Sequence, residues 1–376
     1  MRAIKNVLAV LTFIIGAGLL ASCDIETRDE QDNGGRGSRG FALGFTDFPH
    51  ALTSAAGAAA FSVIERDGDM AAMHFDDGVP WQKALDGSPY PQKYLDELNG
   101  KAAAIPPGHL TYLAVTPVSF SRDRLAENRG AAGSEPLPPP WNGRSFDHPQ
   151  VIEAFINHCE KMISIYSPRF FAYAIEPNML IDLAPASWDG FVTLAQSVYT
   201  SLKTNHPNLP IFLSLQADWF YKNQKGQRAG IAKILPFTDF IALSGYPFAD
   251  QADPNSLATD YFSQLANLAP EKPFAIAETA WPAENITTPY PVVIPASDAT
   301  QKAYMELLMT NSDNLSASFV VWFFTRDFDD FWESDLQYNP VAPTIRLWKD
   351  TGLYDGRGNA RPALAVWRKY LGRKRK

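Results

Sequence analysis

Two short stretches decide the fold: Phe171-Ala-Tyr-Ala-Ile-Glu-Pro-Asn178 and Phe274-Ala-Ile-Ala-Glu-Thr-Ala-Trp-Pro282. Each contains an apolar run typical of a buried strand, and each run ends in a glutamate, Glu176 or Glu278. The two glutamates are 102 residues apart (278 minus 176), which corresponds to three strand-plus-helix units of about 34 residues. This spacing predicts that they end strands 4 and 7 of an eight-fold β/α barrel and converge on one cleft.

Six further apolar runs complete the pattern. The eight predicted strands cover residues 40–45, 70–75, 110–118, 170–175, 211–215, 240–243, 273–277 and 319–324. The predicted helices cover residues 52–65, 93–104, 149–167, 188–204, 229–235, 257–268, 300–309 and 362–371. Alternating strands and helices indicate a parallel sheet, and eight units predict closure into a TIM (β/α)8 barrel over residues 41–376. A doubly wound open sheet shares the alternation, but no glycine-rich phosphate loop follows the first strand.

The composition fits a large folded enzyme. Apolar residues make up 46% of the chain and aromatic residues 12%, which is ample for a large core. The formal net charge of −8 argues against nucleic acid as a partner, because nucleic acid needs a basic surface. Of the two cysteines, Cys159 falls on a predicted helix, where we expect a buried small hydrophobe. We expect the basic residues 373–376 to form a solvated tail, with contact to anionic lipid headgroups as the alternative.

The first residues carry a secretory pattern. Arg2 and Lys5 precede an apolar run over residues 7–20 that is short for a membrane-spanning helix. The ending Leu20-Ala-Ser-Cys23 resembles the lipobox of bacterial lipoproteins. This resemblance implies a leader over residues 1–22 and a lipid on Cys23. An ordinary signal cut near an incidental cysteine is the alternative.

The residues that follow predict a tether. Residues 23–40 are polar and glycine-rich, so we expect a flexible link between a lipidated Cys23 and the barrel. Asp24 resembles the signal that retains such lipoproteins at the inner membrane. The expected location is therefore the bilayer surface that faces the periplasm or the cell exterior.

Three segments resemble a known group of enzymes. The Glu278-Thr-Ala-Trp-Pro282 motif is similar to the strand-7 nucleophile motif of retaining glycosidases with the barrel fold, especially the endo-β-1,4-galactanase (arabinogalactanase) family. Glu176 is placed like their general acid/base. Tyr246, at the end of the predicted sixth strand, matches a tyrosine that is common beside the nucleophile. One position departs from the pattern, because Ile175 stands where most of this clan has an asparagine that holds the sugar 2-hydroxyl.

The resemblance implies a mechanism by double displacement. Ionised Glu278 would attack the anomeric carbon, while protonated Glu176 would donate to the leaving oxygen and then activate water. We therefore expect a raised pKa at Glu176 and carboxyl groups about 5 to 5.5 Å apart.

Further residues near the predicted strand ends are candidates for sugar contacts. Trp219 and Trp281 fall in loops that would lie at the active face, and Trp322 in strand 8 would form a stacking floor or pack in the core. Asn178 would replace the missing asparagine. Polar contacts in outer subsites are expected from Asp47, His74 and Asp76.

The sequence thus predicts a monomeric retaining glycoside hydrolase without a cofactor, acting on a β-linked glycan. Long connections over residues 121–145, 282–296 and 325–339 follow predicted strands and favour an open groove with endo action on a galactan-like polymer. Two alternatives stay open. One is a non-catalytic carbohydrate-binding lipoprotein, which Ile175 favours, and the other is a metal-dependent barrel hydrolase that uses His and Asp ligands.

Overall fold

The computed structural model describes residues 37–287, 293–338 and 342–376. The predicted leader, Cys23, Asp24 and residues 25–36 of the predicted tether lie outside these ranges. In the described part, eight parallel strands close into a barrel in which each strand lies beside its neighbours in chain order. The structure is therefore the predicted TIM barrel.

Each of the eight predicted apolar runs contributes one barrel strand. We number these strands β1 to β8: Ala42–Thr46, Met70–Phe75, Leu110–Val115, Phe170–Ala174, Ile211–Gln216, Ile241–Gly245, Phe274–Thr279 and Phe319–Trp322. The barrel closes where β8 pairs in parallel with β1, with Val320 opposite Leu43. Residues are buried along almost the full length of every strand, because helices cover the outside and side chains fill the inside.

Eight principal helices surround the barrel. They are α1 to α8: Ser54–Asp67, Gln92–Ala104, Pro149–Tyr166, Trp188–Asn205, Gln224–Ile231, Tyr261–Ala266, Asp298–Asn314 and Pro362–Leu371. The prediction for α5 was wrong by about five residues, since Gly226 and Gly230 lie inside the helix and weaken its sequence pattern. Short helices at Ala217–Lys222 after β5 and at Asp329–Ser334 and Ala342–Ile345 after β8 were not predicted.

The barrel interior alternates large and small side chains. Its buried cluster combines aromatic rings with alanines from several strands, among them Tyr112, Phe170, Phe212, Phe240 and Phe319. The Phe212 ring lies 5.8 Å from Tyr112 and 5.3 Å from Phe240, measured between ring centroids. Ile175 belongs to the same cluster. The position that holds an asparagine in the resembling enzymes therefore contributes hydrocarbon to the barrel filling.

The two ends of the described chain meet, which corrects the expectation of a flexible segment up to residue 40. Ser38–Arg39, placed in the predicted tether, pairs in parallel with Lys374–Arg375 of the predicted solvated tail. Arg39 is 3% exposed and its guanidinium lies 2.6 Å from the Asp69 carboxylate. Opposite charges hold both segments against the barrel, so residues 38 and 39 do not belong to a flexible link. Among the described helices, none has the length and apolar character needed to cross a bilayer.

Candidate active site

Glu278 lies near the carboxyl end of β7 and is almost fully buried. Its Oε2 accepts a hydrogen bond of 3.0 Å from the Tyr246 hydroxyl, and its Oε1 lies 3.5 Å from Nδ1 of His74. Burial raises the pKa of the Glu278 carboxyl well above its ordinary value, and the negative Glu176 raises it further. Arg122 and the Tyr246 hydrogen bond oppose this rise. Tyr246 itself stays a donor, because burial and the nearby carboxylates raise its own pKa.

Glu176 follows β4 in a left-handed backbone conformation, with φ of 52°. Non-glycine residues rarely adopt this conformation, and it occurs preferentially at functional sites. Its Oε1 accepts a hydrogen bond of 2.6 Å from the Ser244 hydroxyl, which comes from β6. Its Oε2 accepts a hydrogen bond of 3.2 Å from Nε of Arg122. Strand β6 and the loop after β3 therefore hold this carboxyl in place.

Arg122 joins Glu176 to a second carboxylate. Its two terminal nitrogens donate to the two oxygens of Asp76 at 3.0 and 2.8 Å, in the bidentate geometry that makes such pairs specific. Burial raises the pKa of Asp76 to about 6, against the opposing effect of Arg122. Arg122 also has a left-handed backbone, with φ of 58°. The loop after β3 is thus shaped to aim this guanidinium into the barrel mouth.

His74 is a neutral imidazole at physiological pH. Burial, together with the positive charges of Arg122 and Lys101, lowers its pKa to about 3. The rings of Phe48 and Phe323 flank it, with centroids 5.8 and 5.5 Å away. A neutral imidazole can donate one hydrogen bond to Glu278 or to a sugar hydroxyl without adding a charge.

One cavity of about 320 Å³ at the carboxyl ends of the strands contains these groups. Both glutamates line it, together with four of the predicted contact residues: His74, Asp76, Trp219 and Tyr246. The structure therefore brings together six residues that come from five different strand ends. In a TIM barrel this face carries the active site.

Two predicted tryptophan platforms are corrected. Trp281 and Trp322 are both 0% exposed, so neither ring can stack on a sugar in this structure. Trp281 packs between Phe248 and Tyr304, with ring centroids 6.1 and 4.9 Å away. Trp322 donates from Nε1 to the carbonyl oxygen of Thr351 at 2.8 Å. Both rings point outward from the barrel to the helical layer.

Asn178 and Asp47 also lie beneath the surface of the cleft. Asn178 is 0% exposed, and its amide nitrogen donates to the carbonyl oxygen of Gln216 and to the side chain of Gln227. Its amide therefore fastens the loop after β4 to β5 and cannot replace the asparagine missing at Ile175. Asp47 is buried in an ion pair of 2.8 Å with Lys101. The prediction that these two side chains contact sugar is wrong for this structure.

Several cleft residues were not predicted. Arg122 is one of several arginines in the long segment after β3, and the sequence holds no signal that selects it. Ser244, which is fully buried and donates to Glu176, directly precedes Gly245 and Tyr246, yet a serine in an apolar strand gives no indication of its partner. Phe323 lies directly after β8, which ends two residues before its predicted apolar run does, and it lines the cleft.

The described residues contain one group of three carboxylates close enough to share a metal ion: Glu284, Asp327 and Asp350. None of the three lines the cavity. The guanidinium of Arg361 already lies between two of them, 2.8 Å from Glu284 and in contact with Asp327. This arrangement is an ion-pair cluster that joins the loops after β7 and β8 to α8.

Comparison with known proteins identifies the fold. No protein-family model and no curated protein matches this sequence. The Ignisphaera aggregans GH53 catalytic domain superposes with a TM-score of 0.54 at 17% identity, over 92% of this chain and 99% of that chain. The exo-beta-1,4-mannosidase Op5Man5 from Opitutaceae bacterium strain TAV5 superposes with a TM-score of 0.61 at 13% identity, over 91% of this chain and 62% of that chain. GH5_18 from Streptomyces cattleya, in complex with GlcNAc, superposes with a TM-score of 0.61 at 12% identity, over 90% of this chain and 83% of that chain. These structural neighbours are glycoside hydrolases, and they share the barrel with this chain.

Proposed function

We propose that this protein is a retaining glycoside hydrolase that cleaves a β-linked glycoside by double displacement. The observation that carries the proposal is the pair of buried carboxyl groups, Glu176 after β4 and Glu278 in β7, in one cavity at the active face of the barrel. Two convergent carboxyl groups are the equipment that this chemistry requires. The shared barrel of the neighbouring glycoside hydrolases supports the same conclusion.

In this mechanism Glu278 attacks the anomeric carbon, and Glu176 protonates the leaving oxygen. The Tyr246 hydroxyl supplies a hydrogen-bond donor that favours the ionised form of Glu278. Arg122 and Ser244 orient the carboxyl of Glu176. After the first displacement Glu176 takes a proton from water, which then releases the sugar.

Double displacement needs an ionised nucleophile and a protonated acid. Burial and the negative charge of Glu176 raise the pKa of Glu278, whereas Arg122 and the Tyr246 hydrogen bond lower it and so favour the ionised form. Positive charge that develops at the anomeric carbon during the reaction favours the ionised form of Glu278 further.

The cavity favours a short substrate over a long polymer. A volume of about 320 Å³ lies at the small end of ligand-binding pockets. The expectation of endo action came from long loops, but the segment after β8 folds back over the cleft and lines it. A galactan-like polymer stays among the substrates to be tested, beside short β-glycosides.

The first test is hydrolysis by residues 37–376, which include every described part of the barrel. The panel contains β-1,4-galactan, β-1,4-mannan and the 4-nitrophenyl β-glycosides of galactose, glucose, mannose and glucuronic acid. We expect Glu278→Ala to lower kcat/KM at least about a thousandfold and Glu176→Ala about a hundred- to ten-thousandfold. Activity that survives both substitutions would exclude the carboxylate mechanism.

The product formed with azide separates the roles of the two glutamates. With a 2,4-dinitrophenyl β-glycoside, azide added to Glu278→Ala should attack from the vacated face and give the α-glycosyl azide. Azide added to Glu176→Ala should intercept the glycosyl-enzyme and give the β-glycosyl azide. If Glu278→Ala gave the β-glycosyl azide and Glu176→Ala the α-glycosyl azide, the roles of nucleophile and acid/base would be exchanged between the two glutamates.

A second candidate function is carbohydrate binding without catalysis. The observation that favours it is Ile175, which fills the barrel where the resembling enzymes have a polar contact to the sugar 2-hydroxyl. No hydrolysis across the panel, together with saturable sugar binding by calorimetry, would support this function. A metal-dependent hydrolase would instead lose its activity to EDTA and regain it with zinc.

We also propose that Cys23 carries a lipid that anchors the barrel to a bilayer. The proposal rests on the lipobox-like Leu20-Ala-Ser-Cys23 and on the polar segment that follows it. Cys23→Ser should move the full-length protein from the membrane fraction to the soluble fraction of a bacterial host. Retention of the variant in the membrane fraction would contradict the anchor.

A further inference from the structure

The cavity has two chemically different halves. One half presents charged and polar groups from the loops after β2, β3 and β5, among them Asp76, Arg122 and Asp218. The other half is hydrocarbon and comes from the segment after β8. We call this second half the apolar wall and define it by six cavity-lining residues: Phe323, Phe328, Phe331, Leu336, Ile345 and Trp348.

The apolar wall is continuous with the catalytic groups. Tyr246, which donates to Glu278, contacts the wall edge-on through Trp348 and Phe323, with ring centroids 5.4 and 5.9 Å away. A substrate whose anomeric carbon lies at Glu278 must therefore extend either along the wall or along the polar half.

The wall is a poor surface for a second sugar ring. Sugar platforms are flat exposed ring faces, whereas within the wall the rings of Phe323 and Trp348 meet at 49°. Leu336 and Ile345 offer only aliphatic carbon. A hydroxyl group buried against such a surface loses its hydrogen bonds to water without replacement, which is unfavourable. A hydrocarbon group gains from the same burial.

We propose that the substrate is an amphiphilic β-glycoside whose single sugar ring binds at the two glutamates and whose hydrocarbon aglycone packs on the apolar wall. This inference rests on the proposed glycosidase function and specifies its substrate class. The small cavity volume fits one ring and a short chain rather than several rings. The polar half supplies hydrogen-bond partners for the ring hydroxyls. The apolar wall contacts the hydrocarbon aglycone, which forms no hydrogen bonds.

The test compares methyl, butyl, hexyl and octyl β-D-glycosides in the gluco, galacto and manno series, below their micellar concentrations. We expect kcat/KM in the active series to rise up to about fourfold per methylene until the wall is filled. The octyl-to-methyl ratio should fall at least about tenfold in Phe331→Ser. The control variant is Tyr338→Ser, which alters a 78% exposed aromatic residue on the same segment and should keep the wild-type ratio.

Binding separates this inference from the proposed function. Octyl and methyl 1-thio-β-D-glycosides, which resist hydrolysis, are titrated while tryptophan fluorescence is recorded, since Trp348 and Trp219 line the cavity. Tighter binding of the octyl compound than of the methyl compound, with a smaller difference in Phe331→Ser, would support aglycone binding at the apolar wall. This holds even if no glycoside is cleaved. Cleavage with equal kcat/KM for methyl and octyl glycosides would overturn the aglycone inference and leave the hydrolase function intact. Equal or absent binding of the two thioglycosides would overturn it as well.

Discussion

Tyr246 donates one hydrogen bond of 3.0 Å to the Glu278 carboxyl. This bond lowers the pKa of Glu278 against the effect of burial, so its loss in Tyr246→Phe should raise that pKa. In the proposed mechanism Glu278 is the nucleophile and must be ionised. We therefore expect the acid limb of the kcat/KM profile to move to higher pH, with kcat/KM lowered about ten- to a hundredfold.

Tyr261→Phe is the matched control for this substitution. The Tyr261 hydroxyl is also buried and donates to a carboxylate, but that carboxylate is Asp218, at 2.9 Å. Its removal should leave the acid limb where it is in the wild type. An unmoved acid limb in Tyr246→Phe, measured on the same substrate, would show that Tyr246 does not tune Glu278.

Glu278 should also make the fold less stable as the pH rises. Its pKa is raised in the folded protein, so the folded state holds a proton that the unfolded state loses above about pH 4.3. The free energy of unfolding therefore falls as the pH rises from that value through the folded pKa. Glu278→Gln removes this titration, and we expect its Tm advantage over the wild type to grow between pH 5 and pH 8.

Thermal unfolding of both proteins across this range measures the effect. Glu271→Gln, at an exposed glutamate in the loop before β7, provides the control and should follow the wild type at every pH. A Tm difference between Glu278→Gln and wild type that is constant with pH would contradict the raised pKa.

At the scale of elements, α7 has the most complete cap. The Ser297 hydroxyl accepts from the backbone nitrogen of Thr300 at 3.2 Å, and the Thr300 hydroxyl accepts from the backbone nitrogen of Ser297 at 2.9 Å. Ser297→Ala should lower the free energy of unfolding by about 0.5 to 2 kcal/mol in urea titrations. Ser62→Ala, at an exposed serine inside α1, should change it by less than about 0.5 kcal/mol. Equal losses in the two variants would contradict the role of the cap.

For most strands and helices, the sequence pattern was sufficient to predict the element. All eight strands were predicted because each is a near-continuous apolar run, and α8 was predicted at its observed bounds with proline at its first turn. The pattern failed at α5, where two glycines lie in a helix that tertiary contacts support. It also failed at the short helices after β5 and β8, which are too brief to show a helical period.

At the scale of the whole molecule, the barrel interior determines stability. Phe212 of β5 contacts the rings of Tyr112 in β3, Phe319 in β8 and Phe240, which directly precedes β6. Phe212→Ala leaves a cavity among four strands and should lower the free energy of unfolding by about 3 to 5 kcal/mol in urea. Phe212→Leu keeps most of the volume and should lose about 1.5 kcal/mol or less. A loss in Phe212→Ala no larger than in Phe212→Leu would show that the interior collapses around the missing ring.

The sequence by itself determined the barrel and the positions of Glu176 and Glu278, because both follow from local patterns: apolar strand runs and the spacing between their ends. Only the tertiary structure decided which side chains accompany them. Trp281 and Trp322 point outward into the helical layer. Asn178 and Asp47 are buried and bind partners inside the protein. Arg122 reaches the cleft from a loop. The direction of a side chain at a strand end depends on local bulges and loop paths, which arise from contacts between residues far apart in the chain. The raised pKa of Glu278 was decided in the same way, since burial and neighbouring charges exist only once the barrel is closed.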